Sequence, residues 1–140
     1  MKLYFDTSVL LAASGSANGA SRFIIQTGKA RAWSLITAPY CIEETERNVP
    51  RLGLKAVRAW RRTIAGELTL VPNELVLDKV LVFPKAKDRP VLISALAAEA
   101  DVLLTLDEGD FQNVIGSQVY GLPIRTPGQF LVELRASGVI

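Results

Sequence analysis

The chain has 140 residues, with 16 Lys and Arg against 14 Asp and Glu, a formal net charge of +2, 49% hydrophobic residues and 21% charged ones. This length suits one domain, 1–140, with a real core, and the composition excludes a disordered chain; any surface for a polyanion must come from where charges lie, not from their sum. Histidine is absent and Cys41 is the single cysteine, which excludes His-based triads, histidine zinc motifs and an internal disulfide, and is compatible with a reducing cytoplasm.

The opening "MKLYFDTSVLLAASG" has the lysine, apolar run and small residues of a secretory signal, yet Asp6 interrupts the run and "VLLAA" is too short for one. No segment approaches the roughly 18 consecutive apolar residues of a membrane span, so a soluble, cytoplasmic domain with no membrane partner is expected. "KLYF" (2–5) reads as a strand ending at Asp6. A helix follows around Ser21–Thr27, and "AWSLITA" (32–38) reads as a second strand. "PYCIEETERNV" (39–49) begins with proline, favoured in a first helical turn, and its core-facing stripe is Cys41, Thr45 and Val49, flanked by Glu44. "PRLGLKAVRAWRRTIAG" (50–66) reads as a further helix and "ELTLV" (67–71) as a short alternating strand.

"ELVLDKVLVF" (74–83) reads as helical before "PKAKDRP" breaks the chain. "DRPVLISALAAEA" (88–100) has a capping Asp88 and an Ala/Leu-rich body. "DVLLTL" (101–106) is almost wholly apolar, the mark of a central strand covered on both faces. "VYGLPIRT" (119–126) reads as a last, edge strand because Pro123 interrupts it. "TPGQFLVELRASG" closes with a capping box from Thr126 to Gln129 and Pro127 at the first helical position. Strands alternating with helices predict an α/β fold, a parallel sheet sandwiched between helices in three layers.

The apolar run "LLTLDEGDF" (103–111) ends on Asp107, Glu108 and Asp110. Crowded carboxylates at the mouth of a core strand repel one another and cost free energy to desolvate, so helix capping, solvent or a cation must offset them. In a parallel sheet, ligands bind beyond the carboxyl ends of the strands; Asp6 and Asp107 both fall there. Asp88 opens the helix leading into the strand of Asp107. Taken singly, Asp6, Asp88 and Asp110 have a bland reading as caps and Glu44 as a solvated helix residue. Asp78, Asp101, Glu46 and Glu108 read as surface or boundary charges. Of the six aspartates, four stand at strand-end or helix-start junctions. A set of oxygen ligands without His or Cys suits Mg²⁺ or Mn²⁺, which can activate water and stabilise charge on a phosphodiester.

"LYFDTSVLL", "APYCIEETERNV", "KDRPVLISALAAEADVLLTLDEGDF" and "LPIRTPGQFLVEL", in this order over essentially the whole chain, resemble a PIN domain, the metal-dependent nuclease family that includes the VapC-type ribonuclease toxins. The resemblance implies that Asp6, Glu44, Asp88 and Asp107 are catalytic and hold the metal, with Asp110 as an accessory ligand and Thr7 or Ser8 supporting the first acid. Glu43 or Glu46 takes the place of Glu44 if the helix phase differs, and Thr45 stands where the family usually has an aliphatic residue. The implied reaction is metal-assisted hydrolysis of single-stranded or structured RNA by in-line attack of an activated water. The implied partners are RNA, an antitoxin protein and a second copy of the chain.

Arg47, Arg51, Lys55, Arg58, Arg61 and Arg62 are six of the sixteen basic residues, with no acid between Arg47 and Glu67. On a continuous helix, Arg51, Lys55, Arg58 and Arg62 line one stripe, with Trp60 beside it. This pattern fits a phosphate track with an aromatic for base stacking, and equally a solvated helix face with Trp60 in the core. Two competing functions remain: a PIN fold that binds RNA or protein without cutting, and a phosphoacceptor receiver domain. The latter requires an acidic pair after the first strand and an Asp after the third, whereas "ELTLVPN" ends without one.

Overall fold

A computed structural model describes residues 1–74, 88–107 and 118–140, with 88 and 89 described in their backbone only. The elements in chain order are β1 (Lys2–Phe5), α1 (Thr7–Gly15), α2 (Ala20–Ala30), β2 (Ser34–Thr37), α3 (Pro39–Asn48), α4 (Leu54–Ala59), β3 (Thr69–Leu70), α5 (Asp88–Ala97), β4 (Val102–Leu104), β5 (Gln118–Val119), β6 (Leu122–Arg125) and α6 (Pro127–Ala136). The strands form one sheet in the order β3-β2-β1-β4-β6-β5. Every pairing is parallel except the β5–β6 hairpin. Leu3, Tyr4 and Phe5 all have 0% exposure, although successive side chains of a strand point to opposite faces. Both faces of the sheet are therefore covered, as in the predicted three-layer α/β architecture. No described helix is long and apolar enough to cross a membrane.

The chain order reverses between β1 and β4, the switch point of an open α/β sheet, where ligands bind beyond the strand ends. The two strands are in register through Leu3–Val102, Tyr4–Leu103 and Phe5–Leu104, and the Asp6 N–H donates to the Leu104 carbonyl at 3.0 Å. Asp6 and Thr105, the residues directly after these strands, are thus held side by side. On the other side of β1, Pro39 at the head of α3 follows β2, and Cys41, Thr45 and Val49 are buried as the sequence period requires.

Three sequence expectations change. The helix expected over 50–66 is broken: Val49–Leu52 is a 3₁₀ turn, Gly53 adopts φ +103°, and α4 starts at Leu54. A left-handed φ at glycine is cheap and stops helix propagation. After α4, Trp60–Ile64 forms a π-helical turn, so the side chains of 51, 55, 58 and 62 do not share one continuous helical stripe. Second, Trp60 is 2% exposed and belongs to the core, which removes it as a base-stacking surface. Third, the segment 119–126 is a hairpin, not an edge strand. Tyr120 and Gly121 have φ of +47° and +81°, the left-handed pair of a tight two-residue turn. β5 forms the edge and β6 pairs with β4 inside the sheet. The helix expected over 74–83 lies, beyond Glu74, outside the described residues.

α6 opens with the predicted capping box, Thr126 and Gln129 bonding each other's backbone N–H at 3.1 and 3.0 Å. Its partner in the core is α2, and the Trp33 ring meets Phe130 edge-on at 6.4 Å between centroids.

Candidate active site

Asp6 is both a helix cap and the most constrained acid among the described residues. Its carbonyl accepts from the Val9 and Leu10 N–H groups at 3.0 and 3.2 Å, which starts α1. The residue is 8% exposed. Oδ1 accepts the Thr7 N–H at 2.8 Å, while Oδ2 accepts two hydroxyls, Ser8 Oγ at 3.0 Å and Thr105 Oγ1 at 2.8 Å. Each hydroxyl also accepts a backbone N–H from the turn after β4: Ser8 Oγ that of Leu106 at 3.0 Å, Thr105 Oγ1 that of Asp107 at 3.1 Å. Two hydroxyls therefore tie one carboxylate oxygen to two successive amides, which fixes the backbone of Asp107 relative to Asp6.

Burial pushes the Asp6 carboxyl above its ordinary value, the hydrogen bonds from Thr105, Ser8 and the Thr7 N–H oppose the rise, and the nearby Glu44 charge adds to it. No Lys or Arg among the described residues forms an ion pair with Asp6. A buried carboxylate with a second carboxylate nearby and no cationic partner is costly unless a cation arrives.

A cavity of about 260 Å³ opens over this oxygen cluster, lined by Asp6, Thr7, Ser8, Leu11, Tyr40, Glu44, Asn48, Val91 and Asp107. Glu44 faces it from α3, whereas Glu43 and Glu46 are exposed and border a separate surface hollow with Arg47. The helix phase that selects Glu44 over its neighbours is thus the one the fold adopts. Ser8 supports the Asp6 carboxylate directly. Thr7 contributes its backbone N–H, and its buried Oγ1 has no hydrogen-bond partner among the described residues. Asp88 starts α5, but its side chain, like the whole of Asp110, lies outside the described residues.

Thr105, which donates to Asp6, and the lining residues Tyr40 and Asn48 escaped the sequence reading. Thr105 lay unmarked inside "LLTLDEGDF", two residues before Asp107. Tyr40 and Asn48 fall four residues either side of Glu44, a helical spacing that puts all three on one face. Burial, then the Glu44 charge, raises the Tyr40 phenol above its ordinary value.

The PIN domain family model matches residues 2–109 of this chain. The chain belongs to the PIN domain family. No curated protein and no solved structure matches it in the same comparisons. The matched range holds β1 through β4 and every described residue of the cavity. β6 lies beyond it and continues the same sheet. PIN domains are generally nucleases, typically with divalent metals.

Whether this PIN domain suits such an ion is testable on its own atoms. The donors are carboxylate and hydroxyl oxygens, the set preferred by hard Mg²⁺ or Mn²⁺, and Asp6 lacks a basic partner among the described residues. Against this, no three acids among the described residues stand close enough together to hold an ion by themselves. In donor chemistry the site fits a hard divalent cation. In geometry it needs an approach of carboxylates or ligands from outside the described residues.

Proposed function

We propose that this PIN domain, read as one domain over 1–140, is a Mg²⁺- or Mn²⁺-dependent endoribonuclease that hydrolyses RNA phosphodiester bonds. Its further proposed role, in the cytoplasm, is that of the toxin of a VapBC-type toxin–antitoxin pair, with an antitoxin protein and a second copy of the chain as partners. That role rests on the resemblance to VapC-type chains. The observation that carries the nuclease reading is Asp6: a buried carboxylate at the sheet's switch point, without a basic partner among the described residues, sharing a cavity with Glu44 and Asp107.

In this reading Asp6, Glu44 and Asp107, with Asp88 and Asp110, would hold the ion, which when bound supplies positive charge to the scissile phosphate and lowers the pKa of water. The chain's own groups prepare the place. Ser8 and Thr105 both donate to Asp6 Oδ2. Oδ1, with one amide donor, keeps the larger share of acceptor capacity. Leu11 and Val91 give the cavity an apolar wall, and low-dielectric surroundings strengthen electrostatic interactions beside them. Arg51, Lys55, Arg58 and Arg62, all exposed, are the proposed contacts to the RNA backbone.

The test is cleavage of a mixed RNA panel with Mn²⁺, Mg²⁺ or EDTA, beside Asp6→Asn and Asp107→Asn. Metal-dependent cutting lost in both variants is the expected result. No cutting together with no metal binding by folded protein would sink the enzyme reading. For the toxin role, induced expression should arrest growth in the parent and not in Asp6→Asn. A second reading, a PIN fold that binds RNA or protein without cutting, draws on the absence of a three-acid cluster among the described residues. A Mn²⁺-induced rise in melting temperature that Asp6→Asn removes would count against it.

A further inference from the structure

The wall of the cavity formed by α3 differs from its floor. Asp6, Glu44 and Asp107 make one part of the lining anionic; Tyr40, Asn48, Leu11 and Val91 make the rest aromatic, amide and apolar. An anionic group entering here without a cation is repelled, so the apolar side suits a neutral, flat moiety. About 300 Å³ is the low end for pockets that engulf a small molecule. At about 260 Å³ this one takes a single ring system rather than a whole dinucleotide.

Tyr40 is half-buried in the first turn of α3 and pinned by its backbone N–H, which donates to Asn73 Oδ1 at 3.0 Å. Asn48, two turns further along the same face, spends its Nδ2 on the Glu44 carbonyl at 2.7 Å. Its Oδ1 has no partner among the described residues and remains an acceptor. Beyond Asn48 the chain enters the basic surface of Arg51, Lys55 and Arg58, all exposed. An aromatic, a carboxylate and an amide acceptor therefore follow one another along a helix face that leads to positive charge.

We propose that Tyr40 and Asn48 form a seat for one unpaired nucleobase of the RNA strand, the Tyr40 ring stacking on the base and Asn48 Oδ1 accepting an N–H from its edge. This deepens the nuclease reading and rests on it: it assigns two residues of α3 to one base of the strand at the site. A base inside a helix presents neither face for stacking, so duplex RNA is excluded. Tyr40 replaces Trp60, which lies in the core, as the aromatic that meets the substrate.

The test uses the full parent chain with Mn²⁺ present, and a single-stranded RNA 10-mer with cleavage-resistant phosphorothioate linkages bearing 2-aminopurine at varied positions. Stacking is read as quenching of the 2-aminopurine fluorescence, and affinity as anisotropy of an end-labelled copy. Tyr40→Ala should weaken binding roughly 5- to 150-fold, the range for losing one stacked base, and abolish the quenching. Tyr40→Phe, which keeps the ring, should restore both. Asn48→Leu, which removes the acceptor at similar size, should weaken binding without abolishing the quenching, and an annealed duplex should compete poorly. Circular dichroism and melting temperature establish that each variant folds.

Several outcomes overturn the seat. These are absence of saturable single-strand binding by the folded parent chain with Mn²⁺, affinity and quenching unchanged in Tyr40→Ala, or duplex bound as tightly as single strand. Loss in Tyr40→Ala confined to an arginine-rich peptide, with RNA unaffected, would assign the wall to a protein partner instead. Failure of the nuclease reading looks different: the parent would cut no RNA with any metal, while the binding and quenching differences among Tyr40 variants persisted.

Discussion

Two polar regions of this chain contrast in how the fold treats them. Around Asp6 the polar atoms are buried and each carboxylate oxygen has assigned donors, with Ser8 and Thr105 stitching two strand ends together. Along Arg47, Arg51, Lys55, Arg58, Arg61 and Arg62 the side chains are exposed, and the described ion pairs, Lys29–Glu67 and Arg125–Glu133, involve none of them. The first region carries a desolvation cost that folding alone does not remove. The second costs little and commits to no geometry. Buried polar networks specify arrangement, whereas exposed charges supply attraction that salt can screen.

The largest effects should come from the first region. Asp6→Asn and Asp107→Asn should each lower RNA cleavage by roughly 10²–10⁴-fold, the range for removing a positioned ionisable group, in a single-turnover assay with Mn²⁺. Thr105→Val comes next. It keeps the shape but removes the donor to Asp6 Oδ2 and the acceptor for the Asp107 N–H, so roughly 10- to 100-fold should be lost from Mn²⁺ affinity or rate. Calorimetric titration with Mn²⁺ separates the two. Ser8→Ala should cost less, because Ser8 is half-buried where Thr105 is fully buried. Equal losses from Ser8→Ala and from a surface variant such as Lys29→Ala would show that the two-hydroxyl tie has no functional weight.

The same contrast explains what the sequence disclosed. The parallel sheet was legible because β1 and β4 are apolar runs without alternation, buried on both faces. Asp6 and Asp107 were legible because each ends such a run. The phase of α3 followed from Cys41, Thr45 and Val49. α1 was not legible: Val9, Leu10 and Ala13 are buried and Leu11 and Ala12 half-buried, so the helix has no polar face to show a period. Gly53 hinted at a weak start to the helix, but the full break there and the π turn at Trp60 show only in the backbone angles. Thr105 was passed over because a hydroxyl inside an apolar run has the bland reading of a strand residue, and only the register of β1 with β4 brings it to Asp6.

A smaller effect concerns pH. Burial holds the folded Asp6 carboxyl above its ordinary 3.8, so folding favours its protonated form. That contribution is complete below the unfolded value and is lost as pH rises through the raised folded value. In EDTA, the melting temperature of the parent should therefore fall relative to that of Asp6→Asn, which cannot titrate, as pH climbs from about 4 toward neutrality. Mn²⁺ should reverse the trend at neutral pH, because ion and proton compete for the same oxygens; at 100 times its Kd a ligand adds about 2.7 kcal/mol. A gap between the two proteins that stays constant with pH would mean that Asp6 is not the titrating group.

The smallest expected effects lie on the basic face, and they separate its parts. Lys55 and Arg58 are three residues apart on α4, whereas Arg51 lies before the Gly53 break and Arg62 within the π turn. For single strands, each phosphate contact contributes about −0.7 to the slope of log K against log salt. Lys55→Ala with Arg58→Ala should flatten that slope by about 1.4, while folding stability changes by no more than about 0.5 kcal/mol. If Arg51→Ala and Arg62→Ala flatten it as much, the RNA backbone follows the whole surface despite the two breaks. If only the α4 pair responds, the track is one short helix and the strand leaves the protein beyond it. A slope unchanged in all four variants would return these charges to plain solvation and leave recognition of the substrate to the cavity.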